Sequence, residues 1–139
     1  MTLVFFTDRD LGTAFPEILK SAGFAVERHR DHFPADCSDE EWLAEIGKRG
    51  WIALTHDTRI RYKPNELAAV IRHRVRLLVI VGKAAFPDLA ASFVATRGRI
   101  EAFLERTPAP VIAKVYRAMP AELAENPAAA GRIERWYPR

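Results

Sequence analysis

Short apolar runs recur along this chain, and each one stops abruptly at charge. Residues 3–6, Leu-Val-Phe-Phe, have no polar alternation, the pattern of a strand buried on both faces in a parallel sheet. The run ends at Thr7-Asp8-Arg9-Asp10. Residues 13–22 then place Phe15, Ile18 and Leu19 at helical spacing, with Pro16 near the start and Gly23 as the stop. Residues 24–30 predict a second strand and 31–38 a loop. Ser38 or Asp39 is a good N-cap for a helix over 39–49, with Trp42, Leu43 and Ile46 on one side and Gly50 closing it. Trp51-Ile52-Ala53-Leu54-Thr55 predicts strand three. Asn65 is the expected cap of a helix over 66–74, and Arg76 to Gly82 predicts strand four. One long helix is expected over 86–106. Residues 110–118 alternate more, which suits a strand at the sheet edge.

The order is therefore β-α-β-α-β-α-β-α-β. Such alternation predicts a single three-layer α/β domain: a mainly parallel open sheet, order near 2-1-3-4-5, with helices on both faces. The domain is expected over residues 1–120. Residues 121–139, rich in Ala and Pro, are expected to form a partly ordered tail that Trp136 and Tyr137 dock on the body or on a second chain.

Composition narrows the class. A chain of 139 residues fits one domain, and a hydrophobic fraction of 49% is enough for a core. A formal charge of +3 permits a polyanionic partner without demanding one. Cys37 is the single cysteine, so no internal disulfide forms. The most apolar stretch, Leu-Leu-Val-Ile-Val-Gly, is far short of the ~20 residues that span a bilayer. The first ten residues lack the basic region of a signal peptide. No membrane partner is expected, and a cytoplasmic location is.

The strand ends carry the chemistry. Ligands of open α/β sheets bind beyond the carboxyl ends of the strands, where strand order reverses. Asp8 and Asp10 follow strand one, and Asp57 follows strand three. In the order 2-1-3-4-5 these strands are neighbours, ~4.8 Å apart. Asp39, opening the helix after strand two, reaches the same rim. Carboxylates crowded there repel, and one takes up a proton unless a cation intervenes. Oxygen-only ligands suit Mg²⁺ or Mn²⁺. Arg59, Arg61 and Lys63 follow at alternate positions and, with Arg9, would grip a phosphate backbone that acids alone repel. Each feature has a plainer reading: an Asp after a strand is also a turn former, Asp39 also a cap, and a basic cluster also a solvated face. What favours the chemical reading is that independent segments bring acids to one rim with cations beside them. His29, His32, His56 and His73 lack metal-ligand spacing, and no Gly-rich phosphate loop exists.

Two stretches, residues 5–12 (FFTDRDLG) and 37–66, together with the element order, resemble the compact PIN-like domains, including the toxins of VapC-type toxin–antitoxin pairs. The likeness covers residues 3 to about 81. Its most specific part is a Ser-Asp-x-x-Trp helix followed by a strand ending Thr-x-Asp-x-Arg-Ile-Arg. The resemblance implies a metal-dependent endoribonuclease with acids at the strand ends. Asp8 matches the first-strand acid, Asp39 the acid opening the helix after strand two, and Asp57 the third-strand acid. Asp10 is a further ligand, at a position where the family often carries Asn. Larger relatives have another acid after the next strand; this chain has Gly82 and Lys83 there, and Asp88 several residues on. The implied partners are RNA, a cognate antitoxin that covers the acidic cleft, and a second copy in a homodimer. Two alternatives remain open: a catalytically inactive PIN-like protein serving RNA binding or assembly, and a receiver-like signalling domain. The receiver lacks the hydroxyl it wants after strand four, and Lys114 falls inside strand five.

Overall fold

The computed structural model describes residues 2–139, apart from the side chain of Arg61. Six strands, β1 (Val4–Thr7), β2 (Ala25–Arg28), β3 (Ile52–Thr55), β4 (Arg76–Ile80), β5 (Val111–Tyr116) and β6 (Arg132–Tyr137), form one sheet in the order β2-β1-β3-β4-β5-β6. The first five are parallel, and β6 runs antiparallel to β5. The helices are α1 (Ala14–Ser21), α2 (His29–His32), α3 (Asp39–Arg49), α4 (Pro64–Arg72), α5 (Phe86–Ala95), α6 (Arg97–Arg106) and α7 (Pro120–Glu125), with 3₁₀ turns at Arg9–Leu11 and Ile60–Tyr62.

The unbroken apolar runs are explained by the two faces of the sheet. Successive strand residues point to opposite sides. Phe5, Ile52, Leu54, Leu78, Ile80 and Ala113 pack with α1, α5 and α6 on one face. Phe6, Ala53, Leu77, Val79 and Ile112 pack with α3 and α4 on the other. Both sides are core, so both must be apolar. No described helix is long and apolar enough to cross a membrane.

Three local differences from the sequence pattern have physical causes. The long helix over 86–106 breaks at Thr96 into α5 and α6. The Thr96 hydroxyl donates to the Ser92 carbonyl at 2.6 Å and accepts from the Gly131 amide at 2.9 Å, so it bonds back along its own helix and across to residue 131. The edge strand is β6 and not β5, because residues 132–137 fold back along β5. The cap of α4 is Lys63, with Pro64 in the first turn, and not Asn65. In the stretch expected as a tail, Trp136 and Tyr137 pack on the α3/α4 side of the core.

Helix α3 lies against α4 through Gly47, where an added Cβ would collide with the backbone carbonyl of His73 at the end of α4. In an exposed helix Gly→Ala stabilises by about 1 kcal/mol. Gly47→Ala is expected to do the opposite and cost about 1–3 kcal/mol, since backbone must move to make room. Urea denaturation checks it, and a variant as stable as the parent would mean that the helices do not touch there.

Candidate active site

Asp8 stands at the point where β1 stops being a strand. Its amide still donates to the Leu54 carbonyl at 2.9 Å, extending the β1–β3 ladder by one bond. Its carboxylate then divides its work. One oxygen, Oδ1, accepts from the Arg9 amide at 2.7 Å and starts the 3₁₀ turn. The other, Oδ2, receives the hydroxyl of Thr55, the last and fully buried residue of β3, at 2.9 Å. Turn former and site acid are thus one residue.

Thr55 Oγ1 also lies 3.0 Å from Asp10 Oδ2, and it accepts from the Asp57 amide at 3.2 Å. A hydroxyl has one proton to give. Two carboxylates therefore meet over a single donor. Asp10 has further support from the His56 amide, at 3.1 Å from each of its oxygens. The His56 ring is fixed in turn by Nε2 at 2.8 Å from the Gly82 carbonyl, which ties the end of β3 to the end of β4.

The electrostatics follow from this crowding. Burial first, then the Asp10 charge, pushes Asp8 up to about 7, with Asp39 adding to the rise and Thr55 opposing it. Asp10 is also raised, chiefly by burial, with the Asp57 charge adding to the rise and the His56 amide opposing it. Asp10 is exposed as a residue, but its carboxyl turns inward onto Thr55 and the His56 amide, where desolvation acts on the charge.

Asp57 and Asp39 are held differently. Burial acts to raise Asp57, but Lys63 outweighs it: Nζ lies 2.6 Å from Oδ2, the Arg59 amide donates to Oδ1 at 3.0 Å, and the carboxyl sits below its ordinary range. Asp39 is the first residue of α3, with Ser38 as the cap whose hydroxyl accepts from the Glu41 amide. Freed from capping, the Asp39 carboxylate accepts from the indole Nε1 of the fully buried Trp42 at 2.9 Å. Its charge is felt at Asp8, as that of Asp57 is felt at Asp10. The structure thus joins Asp8 and Asp10 through the Thr55 hydroxyl and leaves Asp39 and Asp57 at the margins, each on its own partner. Among the described residues no three Asp, Glu, His or Cys side chains converge on one ion-sized point.

The cations read from the sequence are distributed unevenly. Lys63 is on Asp57. Arg9 donates from Nε to His29 Nδ1 at 2.8 Å and from Nη2 to the Phe33 carbonyl at 3.0 Å. His29 is therefore a neutral acceptor, lowered by its burial and then by the Arg9 charge. Arg59 is exposed, and the side chain of Arg61 lies outside the described residues. Lys83 and Asp88 are exposed, the latter in the first turn of α5.

A family model described as "PIN like domain" matches residues 3–82, more than half of the chain. The chain belongs to the PIN-like domain family. The matched stretch runs from β1 through β4 and contains all four acids of the rim together with Thr55 and Lys63. PIN-like domains are generally nucleases, which sets aside the receiver-like alternative. No curated protein and no solved structure gives a significant match.

The contacts of two residues with the candidate acids escaped the sequence reasoning. Thr55 was visible only as the Thr of Thr-x-Asp, and nothing in the sequence marks its hydroxyl as shared. Trp42 sits at i+3 from Asp39, on the same helix face, and that spacing was a usable signal.

Proposed function

We propose that this protein is a metal-dependent endoribonuclease that hydrolyses RNA phosphodiester bonds, and that it is the toxin of a toxin–antitoxin pair. The observation that carries the reading is the pair of carboxylates, Asp8 and Asp10, set against one Thr55 proton with Asp8 near 7. At neutral pH such a pair wants a cation, and an all-oxygen donor set of this kind fits Mg²⁺ or Mn²⁺. Asp8 and Asp10 would hold the ion, and Asp39 and Asp57 would join them only by turning off Trp42 and Lys63. When bound, the ion would supply acidification of water and neutralisation of charge at the phosphate.

The chain's own residues do the rest. Thr55 and the His56 amide hold the two central carboxylates in place. Trp42 fixes the Asp39 carboxylate, which would bind the ion or orient water there. Arg59, with Arg61, neutralises the phosphate and lets the backbone approach the acids. An antitoxin would cover the cleft, and a second copy would complete a homodimer.

A second reading keeps the fold and drops catalysis, leaving an RNA-binding or assembly protein. Two observations favour it: Asp57 is already balanced by Lys63, and Lys83 follows the strand after which larger relatives carry another acid. Metal dependence separates the two. Calorimetry is expected to detect Mn²⁺ binding to the protein, and single-stranded RNA is expected to be cut in Mn²⁺ and spared in EDTA. Absence of both Mn²⁺ binding and cleavage would leave the second reading.

A further inference from the structure

A cleft of about 210 Å³ opens on the far side of Asp8 from Lys63. It lies between the end of β1 and the end of β2, and Asp8, Arg9, Gly12, Thr13, Arg28 and Arg30 line it. Small-molecule pockets start at about 300 Å³, so this one accommodates a phosphate with part of its sugar and not a whole nucleotide. We infer that this cleft is a phosphate subsite, in which Arg30 and the Thr13 hydroxyl hold a phosphate of the RNA strand next to the one at the acids.

The argument starts from which charges are free. Lys63 is neutralised by Asp57. Arg28, in the cleft wall, pairs with Asp31 at 3.0 Å and with Glu17 at 3.5 Å. The Arg9 guanidinium is bonded only to neutral groups among the described residues, the His29 ring and the Phe33 carbonyl, so its charge is held rigidly but not cancelled. Arg30 is exposed, and among the described residues it makes no hydrogen bond or ion pair. Thr13 precedes α1, yet its side chain makes no capping bond. A guanidinium and a hydroxyl without hydrogen-bond partners therefore belong to the lining of one cleft, beside a second guanidinium whose position is fixed, and Arg30 feels the charge of Asp31, which is already bonded to Arg28. The acids nearby are accounted for: Asp31 and Glu17 are on Arg28, and Asp8 is the acid assigned to the metal. Guanidinium groups suit phosphate because their planar donors meet two of its oxygens. The strand would then cross the rim from Arg59 on one side to Arg30 on the other, with the acids between.

The inference rests on the nuclease reading, and the test keeps the two apart. Arg30→Gln removes charge from an exposed position and is expected to leave Mn²⁺ affinity unchanged. Binding of a single-stranded RNA oligonucleotide is followed in EDTA, which stops cleavage, over a series of salt concentrations. One phosphate contact on a single strand contributes about 0.7 to the slope of log affinity against log salt. The Arg30→Gln slope is expected to be shallower by that amount, with affinity down about tenfold at low salt, and Arg30→Lys is expected to restore most of the slope. A merely structural arginine would not move the slope. In parallel, adenosine 3′,5′-bisphosphate is titrated while amide resonances are recorded, and the shifts are expected at Gly12, Thr13 and Arg30. An unchanged salt slope, or shifts confined to residues 57–63, overturns the subsite. Bisphosphate binding in the cleft by a protein that cuts no RNA in Mn²⁺ would keep the subsite and remove the nuclease.

Discussion

Asp8→Asn is expected to abolish RNA cleavage and, without metal, to make the protein more stable at pH 8. Removing even a partner of a metal ligand costs about 10- to 100-fold, so loss of a ligand itself is expected to exceed about 100-fold in kcat/KM. The stability gain follows from proton linkage. Asp8 ionises near 7 in the folded chain and near 3.8 in its ordinary state. Between those values the folded protein holds the proton more tightly than the unfolded one. Stability therefore falls as pH rises through that window, and the loss is complete above 7. Asn never ionises and escapes the loss. With a discount for the carboxyl's partial contact with solvent, the gain is about 1–2 kcal/mol, or several degrees in Tm. Thermal melts in EDTA at pH 4 and pH 8 are the measurement: the two proteins are expected to melt together at the lower pH and apart at the higher. Mn²⁺ is expected to raise the melting temperature of the parent at pH 8 and to do little for the variant. A variant that cleaves within tenfold of the parent would remove Asp8 from the chemistry. A Tm gap that ignores pH would show that ionisation at Asp8 is not strained.

That Asp8 and Asp57 follow neighbouring strands was legible because the apolar runs are so short. An apolar run of four or five residues bounded by polar ones suits a buried strand, and Asp8 and Asp57 stand one and two residues past the ends of β1 and β3. The parallel neighbours β1 and β3 followed from the alternation of elements. What the sequence does not specify is where a side chain turns once it arrives. Asp57 has Lys63 six residues on, and a 3₁₀ turn brings the ammonium back onto it. The pattern of alternating cations suggested one basic stripe and gave no sign that its last member would be used up internally. Arg30 was passed over for the opposite reason: one arginine in a polar stretch carries no periodic signal, and only the fold brings it beside Asp8. The break at Thr96 and the interior place of β5 share one cause. Both depend on residues 131–137 returning to the body, a contact between segments far apart in the sequence.

Trp42 is expected to be the position where stability and chemistry come apart most clearly. The ring is fully buried between α3 and the sheet, with Phe6 5.3 Å away between centroids. Trp42→Ala empties the largest fully buried side chain on that side of the sheet and is expected to cost about 3–5 kcal/mol. That is a large share of the roughly 5–15 kcal/mol by which domains are stable, so chemical denaturation reads it directly. Trp42→Phe keeps most of the apolar volume and removes only the indole N–H that holds Asp39 at 2.9 Å. It is expected to cost no more than about 1–2 kcal/mol. Yet the Asp39 carboxylate is then free to rotate. Cleavage is expected to fall about 10- to 100-fold, the scale seen when a ligand loses the group that orients it, and Mn²⁺ affinity is expected to weaken with it. The discriminating result is the ratio between the two readouts. If Trp42→Phe loses stability and activity in equal proportion, the indole serves only the core. If its fold is nearly intact while cleavage and Mn²⁺ binding both drop, then the Ser-Asp-x-x-Trp helix is a device for aiming a carboxylate: Ser38 takes over the cap, Asp39 is released from it, and Trp42 points it at the rim.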